Sequence, residues 1–558
     1  MPRRSDVFVV GSSSTADGYG WRFWAIIISL SVTSLLSALD VSVIATALPT
    51  IVKDLGSSYA FIWISNAYFV TMTAFQPLYG QTANIFGRRV LTLLAVFLFA
   101  AGSAVSGSAP SIGALIAGRA IQGAGGGGIN IMIEIIVADL VPLRERPKFI
   151  SIIFTAYTVA IALGPVIGGL LAERVSWRWV FYLNLPISGV SLVLLFFVLH
   201  VRYIKDTTLR SLKRVDFGGN VLLIASVVSI LLALTWGGVI YSWGSWHTIV
   251  PLILGFLGLA GFLFLQSTAF VPEPTMPLKI FSNRTSLGGF GLTFIHSMLI
   301  YWLSYFLPLY FQSALEASPI TSGVNLLPSV TISLPFAILA GICISKFGHY
   351  RIWHFLGVST LAISFGLCSL LNENTTTAYW AGIQAVGAIG AGILTTTTLP
   401  AIQAPLDEKD QAVSTATWGF VRSFGGVWGV AIPTAVFNSK VNELAPRVGN
   451  ETVREMLING KAYGLASTGY IASLRSDPPL QIAVKHVYVS ALRVCWQVGI
   501  GFALIGFLIA CIIKEIPLRT DLETEFGLDV QPQPTTENAE TKANDNTERD
   551  TQYQHQKG

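Results

Sequence analysis

The chain has 558 residues, of which 52% are hydrophobic and only 12% charged, with a mean hydropathy of +0.62 and a formal net charge of +5. A water-soluble domain carries about 25% charged residues, so the composition excludes an ordinary soluble enzyme and implies an integral membrane protein. Cys343, Cys368, Cys495 and Cys511 lie in or beside apolar runs without CxxC spacing, which argues for small apolar fillers and against a disulfide framework or a zinc site.

The first twenty residues, MPRRSDVFVVGSSSTADGYG, lack the apolar core and cleavage site of a secretory signal, so residues 1–22 read as a cytosolic arm. Fourteen apolar windows follow, at 23–46, 59–79, 90–108, 112–137, 149–171, 178–200, 217–237, 248–269, 287–311, 319–343, 352–371, 378–403, 412–437 and 489–513. Each is long enough to cross about 30 Å of hydrocarbon as a helix. An even number of spans returns the C-terminus to the cytosol. The short inner loops then carry Arg88, Arg89, Arg144, Arg146, Lys148, Arg202, Lys205, Arg210, Lys213, Arg214, Lys279, Arg284, Lys346, Arg351 and Lys409, against Lys53, Arg174 and Arg178 outside. This bias supports the orientation, and the net charge reflects topology rather than a nucleic-acid partner. Residues 438–488 form a long outer loop with a glycosylation triplet at Asn450. Residues 514–558 are acidic and rich in Gln, Thr, Asn and Pro, as in a disordered cytosolic tail.

An internal repeat orders the windows. AGRAIQGAGGGGIN from Ala117 matches AGIQAVGAIGAGIL from Ala381 at seven of fourteen positions. PLRER from Pro142 echoes PLDEK from Pro405, GPVIG from Gly164 echoes GGVWG from Gly425, and the spacing of Gly80 and Gly87 recurs at Gly341 and Gly348. The offsets lie between 261 and 264 residues, so spans 2 to 5 correspond to spans 10 to 13. Duplicated helical bundles are typical of transporter folds. The expected architecture is all-α: a six-helix bundle at 23–200, a basic loop with two inserted helices at 201–286, and a second six-helix bundle at 287–513.

The repeat separates shared features from unshared ones. The glycines are shared, and small residues at helical spacing let membrane helices approach closely. Arg119 is not, because its counterpart is Ile383. An arginine at mid-depth is costly unless it faces a watered cavity or an anionic partner, which makes it a functional-site candidate. Asp40 and Glu134 are the carboxylates well inside the first half's spans. A motion that brings such acids toward or away from Arg119 changes their proton affinity, as proton coupling requires. The alternative for Asp40 is a helix-terminus or interface carboxylate, and Glu134 reads equally as an inner-surface partner of Arg144 or Arg146.

At this level of detail the chain resembles the major facilitator superfamily, specifically its fourteen-span drug:proton antiporters and their fungal toxin-efflux branch, over about residues 23–513. LDVSVIATALP (39–49) resembles the family's span 1 signature, GQTANIFGRR (80–89) its loop motif after span 2, and LIAGRAIQGAGGGG its span 4 motif with Arg119. LGPVIGG (163–169) resembles the span 5 antiport motif, and WRWVFYLNLPISG (177–189) the opening of span 6. The resemblance implies that Arg119 serves proton coupling, that Gly80, Asn84, Gly87, Arg88 and Arg89 form a cytosolic latch, and that Gly164, Pro165, Gly168 and Gly169 shape a bending interface. Asn84 stands where the family usually has aspartate, Ala45 where it has asparagine, and Ala160 where it has glycine.

The family fold places spans 1 and 4 against spans 9 and 12 around a central site. Span 9 carries His296, Tyr301, Trp302, Tyr305, Phe306, Tyr310 and Phe311, rings that suit bulky ring-containing compounds or an interfacial aromatic belt. Gln122, His296, Tyr301, Tyr305 and Gln384 are the expected substrate contacts. Arg422, opposite Ile161 in the repeat, binds an acidic substrate or pairs with a carboxylate at the inner surface. The expectation is a monomeric, proton-driven transporter of the plasma membrane, or less so the vacuolar membrane, that exports amphipathic organic compounds. It needs no cofactor, metal, ATP or nucleic acid, and no Ser/His/Asp arrangement or phosphate-binding GxxxxGKS/T motif is present. The rival readings are a proton-coupled uptake carrier for siderophores or amino acids and a transporter-like nutrient receptor.

Overall fold

The structure, a computed structural model, describes residues 8–10, 19–55, 61–200, 208–238, 240–268, 270–458, 460–467 and 470–524. Fourteen long helices occupy the expected windows. They are α1 (Trp21–Leu55), α2 (Phe61–Phe86), α3 (Arg88–Gly107), α4 (Ile112–Leu140), α5 (Arg146–Arg174), α6 (Asn184–Val198) and α7 (Phe217–Trp236). The series continues with α8 (Trp246–Ser267), α9 (Arg284–Ser313), α10 (Leu327–Phe347), α11 (Arg351–Cys368), α12 (Thr377–Gln403), α13 (Gln411–Leu444) and α14 (Pro478–Ile512). Long helices are the expected solution because hydrocarbon offers no partner for a backbone N–H or C=O. Among the described residues, 13 helices are apolar and long enough to cross a membrane. The long helix outside that set, α2, is 26 residues, or roughly 39 Å, but carries Asn66, Gln76, Gln81 and Asn84, which dilute its hydropathy.

Helix pairing reproduces the repeat. In the first half α1 packs on α5 and α6, α4 on α2 and α3, and α3 on α6; in the second half α9 packs on α13 and α14, α12 on α10 and α11, and α11 on α14. The halves meet through the matching pairs α2 with α13 and α5 with α10. The turns before α3 and α11 both use a glycine at positive φ, which glycine adopts at little cost, but in different ways: Gly87 (φ 85°, ψ 158°) is the N-cap of α3, and Gly348 (φ 77°, ψ 1°) is the left-handed C-cap of α10. The inserted helices α7 and α8 pack on each other, and α7 also lies against α2 and α13.

Two boundaries differ from the sequence expectation. The loop expected at 438–488 shrinks, because α13 continues to Leu444 and α14 starts at Pro478. The polar ends NSKVNEL and PPLQIAVKH stay helical after hydropathy has faded. Short helices between them bury Val453, Leu457, Ala462, Ala466 and Ile471 in the second half's core. Residues after α14 are also more ordered than their composition suggests. Glu515 accepts the backbone N–H groups of Tyr350 (2.9 Å) and Arg351 (3.0 Å), and the Tyr350 hydroxyl donates to the Lys514 carbonyl at 2.7 Å. Beyond them Leu522–Thr524 pairs antiparallel with Phe8–Val10, joining the tail to the N-terminal arm. The rest of the expected tail, 525–558, lies outside the described residues.

Candidate functional site

Mid-depth in the first half, Arg119 has an anionic partner. Its Nη1 lies 2.6 Å from Asp40 Oδ2 and 2.8 Å from Gln122 Oε1, while Nε donates to the Ile64 carbonyl at 3.0 Å. The other Asp40 oxygen accepts from Gln122 at 2.7 Å and from Asn184 at 2.9 Å, and Gln122 also donates to Ser103 at 2.8 Å. Five helices, α1, α2, α3, α4 and α6, thus converge on one ion pair. Arg119 is 1% exposed and Asp40 0%. A dry pair is costly unless further hydrogen bonds support it, and here Gln122, Asn184 and the Ile64 carbonyl supply them. The guanidinium carbon lies 4.4 Å from the centre of the Tyr68 ring, and Tyr68 lines the adjoining cavity. The pair therefore sits one side chain behind the cavity wall. Gln122, expected at the substrate, has its amide committed to Asp40 and Ser103 and is absent from that wall.

The cavity lies between the halves and has a volume of about 400 Å³, within the usual range for a small-molecule site. Glu134 of α4, Tyr157 of α5, His296 and Tyr301 of α9, Gln384 of α12 and Arg422 of α13 all reach it. Tyr305 does not line it; its ring lies 6.4 Å from that of Tyr301, nearly parallel. His296 Nε2 is 3.1 Å from the Ala391 carbonyl, and the Gln384 amide binds the Asn325 carbonyl and the Ser329 hydroxyl, each at 2.8 Å. Neither Glu134 nor Arg422 has a hydrogen bond or ion pair among the described residues, although their charges interact. Arg422 stacks on Trp418 at 4.4 Å. The inner-surface arginines considered as partners of Glu134 are engaged elsewhere.

Those arginines close the basic end of the molecule, where the Arg-rich loops gather. Arg146 donates to Gln403 (2.9 Å) and Gln411 (2.7 Å) of the second half and lies 3.6 Å from Glu408. Arg144 donates to the carbonyls of Ser345 (2.8 Å) and Lys346 (2.5 Å), and its own N–H reaches the Arg519 carbonyl at 3.2 Å. Close packing supports these ties: a Cβ on Gly80 would run into Ala416, and one on Gly341 would come 2.8 Å from the Pro147 carbonyl. Small residues make such approaches possible.

The GQTANIFGRR motif lies at this end. Arg88 pairs with Asp139 of α4 at 2.7 Å and donates to the Ala83 carbonyl at 2.8 Å; Arg89 donates to the Phe196 carbonyl at 2.6 Å. Asn84 is half-buried on α2. Sequence reading missed Asp139, which falls just beyond the window drawn for span 4. It also missed Gln81, whose side-chain oxygen accepts from Asn220 (2.9 Å) and Thr275 (3.1 Å), tying the motif to the inserted pair. In the span 5 motif a Cβ on Gly164 would strike Ser42 of α1, Gly168 is buried, and Gly169 faces open space. The Pro165 side chain lies outside the described residues. Asn450 is exposed and caps the helix Glu451–Leu457 through Val453 at 3.2 Å.

The Major Facilitator Superfamily model matches residues 30–430. The chain belongs to this superfamily. Major facilitator relatives include "Efflux pump FUS6" of Gibberella fujikuroi, 48% identical over 91% of this chain and 92% of that protein. "MFS-type efflux pump LUC4" of a Fusarium species is 46% identical over 93% and 92%. A third, "Acurin A biosynthesis cluster MFS-type transporter" of Aspergillus aculeatus, is 48% identical over 91% and 92%. Among solved major facilitators, the human organic anion transporter MFSD10 superposes with a TM-score of 0.56 at 14% identity, covering 88% of this chain and 100% of that one. The proton:xylose symporter XylE gives 0.54 at 16% identity, over 82% and 95%. The superfamily accounts for the paired bundles and the cavity between them, and its members are transporters rather than enzymes.

Proposed function

We propose that this chain exports amphipathic organic compounds from the cytosol, driven by protons entering in exchange, by alternating access. One observation carries the reading: a cavity with mixed aromatic and polar walls lies between two bundles of like helix pairing that are tied together at the basic end. By the positive-inside rule that end is cytosolic, so the structure corresponds to the cytosol-closed stage of the cycle. Opening inward breaks the bonds of Arg144 and Arg146 and separates Gly80 from Ala416. The Arg88–Asp139 pair lies within the first half and holds the motif in shape as it moves. Relatives named as efflux pumps support the outward direction, and the plasma membrane is the site where export clears the cell.

The test is retention of labelled amphipathic compounds in cells making the intact protein or Arg146→Ala, with and without a protonophore. Lower retention with the intact protein, abolished by protonophore and by Arg146→Ala, is expected. Higher retention points to uptake and overturns the export reading.

A further inference from the structure

The buried pair and the cavity divide the mid-membrane charges of the first half between them. Asp40 is saturated, with both oxygens held by Arg119, Gln122 and Asn184, and it does not reach the cavity wall. A proton arriving there would disrupt those bonds and leave Arg119 uncompensated in a dry site. Glu134 has neither constraint. Among the described residues on the wall it is the one carboxylate and Arg422 the one cation, and they come from opposite halves. The titratable or charged groups around them are Tyr68 on α2, Tyr157 on α5, His296 and Tyr301 on α9, and, beneath, Arg146, which is engaged with Gln403, Gln411 and Glu408.

We propose that Glu134 is the proton-exchanging carboxylate, and that Glu134 and Arg422 together dock a neutral amphipathic compound bearing a hydrogen-bond acceptor, such as a carbonyl, beside a hydroxyl or N–H donor. The proposal rests on the export reading above. An ionised Glu134 only accepts and Arg422 only donates, so a neutral donor–acceptor group satisfies both through charge-assisted bonds. Protonating Glu134 removes its charge and turns one oxygen into a donor, which weakens the ligand's hold. Linkage makes the effect reciprocal: the bound ligand disfavours the proton by the same factor. Mutually exclusive occupancy is what exchange demands. An anionic ligand would instead place a second negative charge near Glu134 and favour proton uptake, coupling the two in the same direction. A cation would meet Arg422. The ligand also links the halves, since its acceptor is held by α13 and its donor by α4.

The full-length protein in detergent provides the test. Infrared difference spectra between acidic and neutral buffer report carboxyl protonation without any ligand. Beyond the signal of the chain's other carboxyls, which every variant shares, one further titrating carboxyl band is expected in wild type and Asp40→Asn, lost in Glu134→Gln and regained in Glu134→Asp. A band that survives Glu134→Gln and vanishes in Asp40→Asn overturns the assignment. Binding of tritiated cycloheximide, a neutral imide with a hydroxyl and carbonyls, is compared with carboxyfluorescein and tetraphenylphosphonium. Cycloheximide affinity is expected to fall by up to about tenfold per pH unit on acidification, the limit for one excluding proton. Glu134→Gln removes that slope, and Arg422→Gln weakens binding about tenfold. Preference for either charged probe, binding of none, or an affinity that rises on acidification overturns the ligand class. Failure of the export reading is distinct, because it appears as missing protonophore-sensitive efflux in cells whatever the spectra give.

Discussion

The two bundles share their helix pairings, yet their middles are filled differently. In the first, α4 presents Arg119 and Gln122 to Asp40, Ser103 and Asn184. In the second, the position matching Arg119 is Ile383, buried in a core that includes Trp302, Phe365, Trp380 and Trp496. Both fillings support the same pairing of the fourth helix with the second and third helices of its bundle. The fold therefore does not require the ion pair, which points to a role specific to the first half.

Breaking that pair gives the largest expected effect. Arg119→Leu leaves Asp40 buried without its cation, a change worth about 3–5 kcal/mol, and is expected to lower the thermal midpoint of the purified protein sharply. Adding Asp40→Asn should recover part of the loss. Ile383→Arg, which puts the same cation in the other half without an acid, should be comparably damaging; a tolerated Ile383→Arg would mean the two middles are less different than their contacts indicate.

A smaller effect sharpens the comparison at the shared glycines. A Cβ on Gly123 would run into the backbone carbonyl of Tyr68, whereas one on Gly387 would meet the Ser364 hydroxyl, a side chain that can rotate away. Gly123→Ala is expected to cost about 1–3 kcal/mol, as overpacking does, and Gly387→Ala less, by the same thermal measurement. Equal losses would show that backbone rigidity is not what separates the two sites.

The smallest effect concerns the face opposite the basic end. Burial alone would raise the Glu316 carboxyl, but bonds from Lys485 and Arg475 outweigh it and hold the group below the usual carboxylate range. A depressed folded value means the contribution is present above the ordinary carboxylate range and lost as pH falls through the lowered value. Arg475 is largely exposed, so the pair is worth up to about 1 kcal/mol. A cysteine placed at Ser473 is expected to react roughly twofold to fivefold faster in Glu316→Gln than in wild type near neutral pH. The ratio should approach one in acid; a ratio that stays constant would deny the carboxylate this role.

Much of this was legible beforehand. Apolar windows located the long helices, and the offset between repeats anticipated the paired bundles and a positive-φ glycine in both turns, though not that Gly87 and Gly348 would differ in ψ. Arg119 stood out because it interrupts an otherwise shared segment, but nothing in its own helix says whether it faces water or an acid 79 residues away. Gln122 was misplaced for the same reason: one amide serves a ligand or a buried carboxylate equally well. Asp139, Gln81 and Glu515 went unread because each looks like an ordinary polar residue at the edge of a span.

The sequence by itself set out the apolar windows, the charge bias between their loops and the twofold plan, because hydropathy, loop charge and repetition are properties of one strand of chain. Only the tertiary structure decided which charges are spent and which are available. Asp40 and Glu134 are both acids at mid-span; packing sealed the first against Arg119 and left the second on a cavity wall. That distinction depends on distances between helices, which no local pattern encodes.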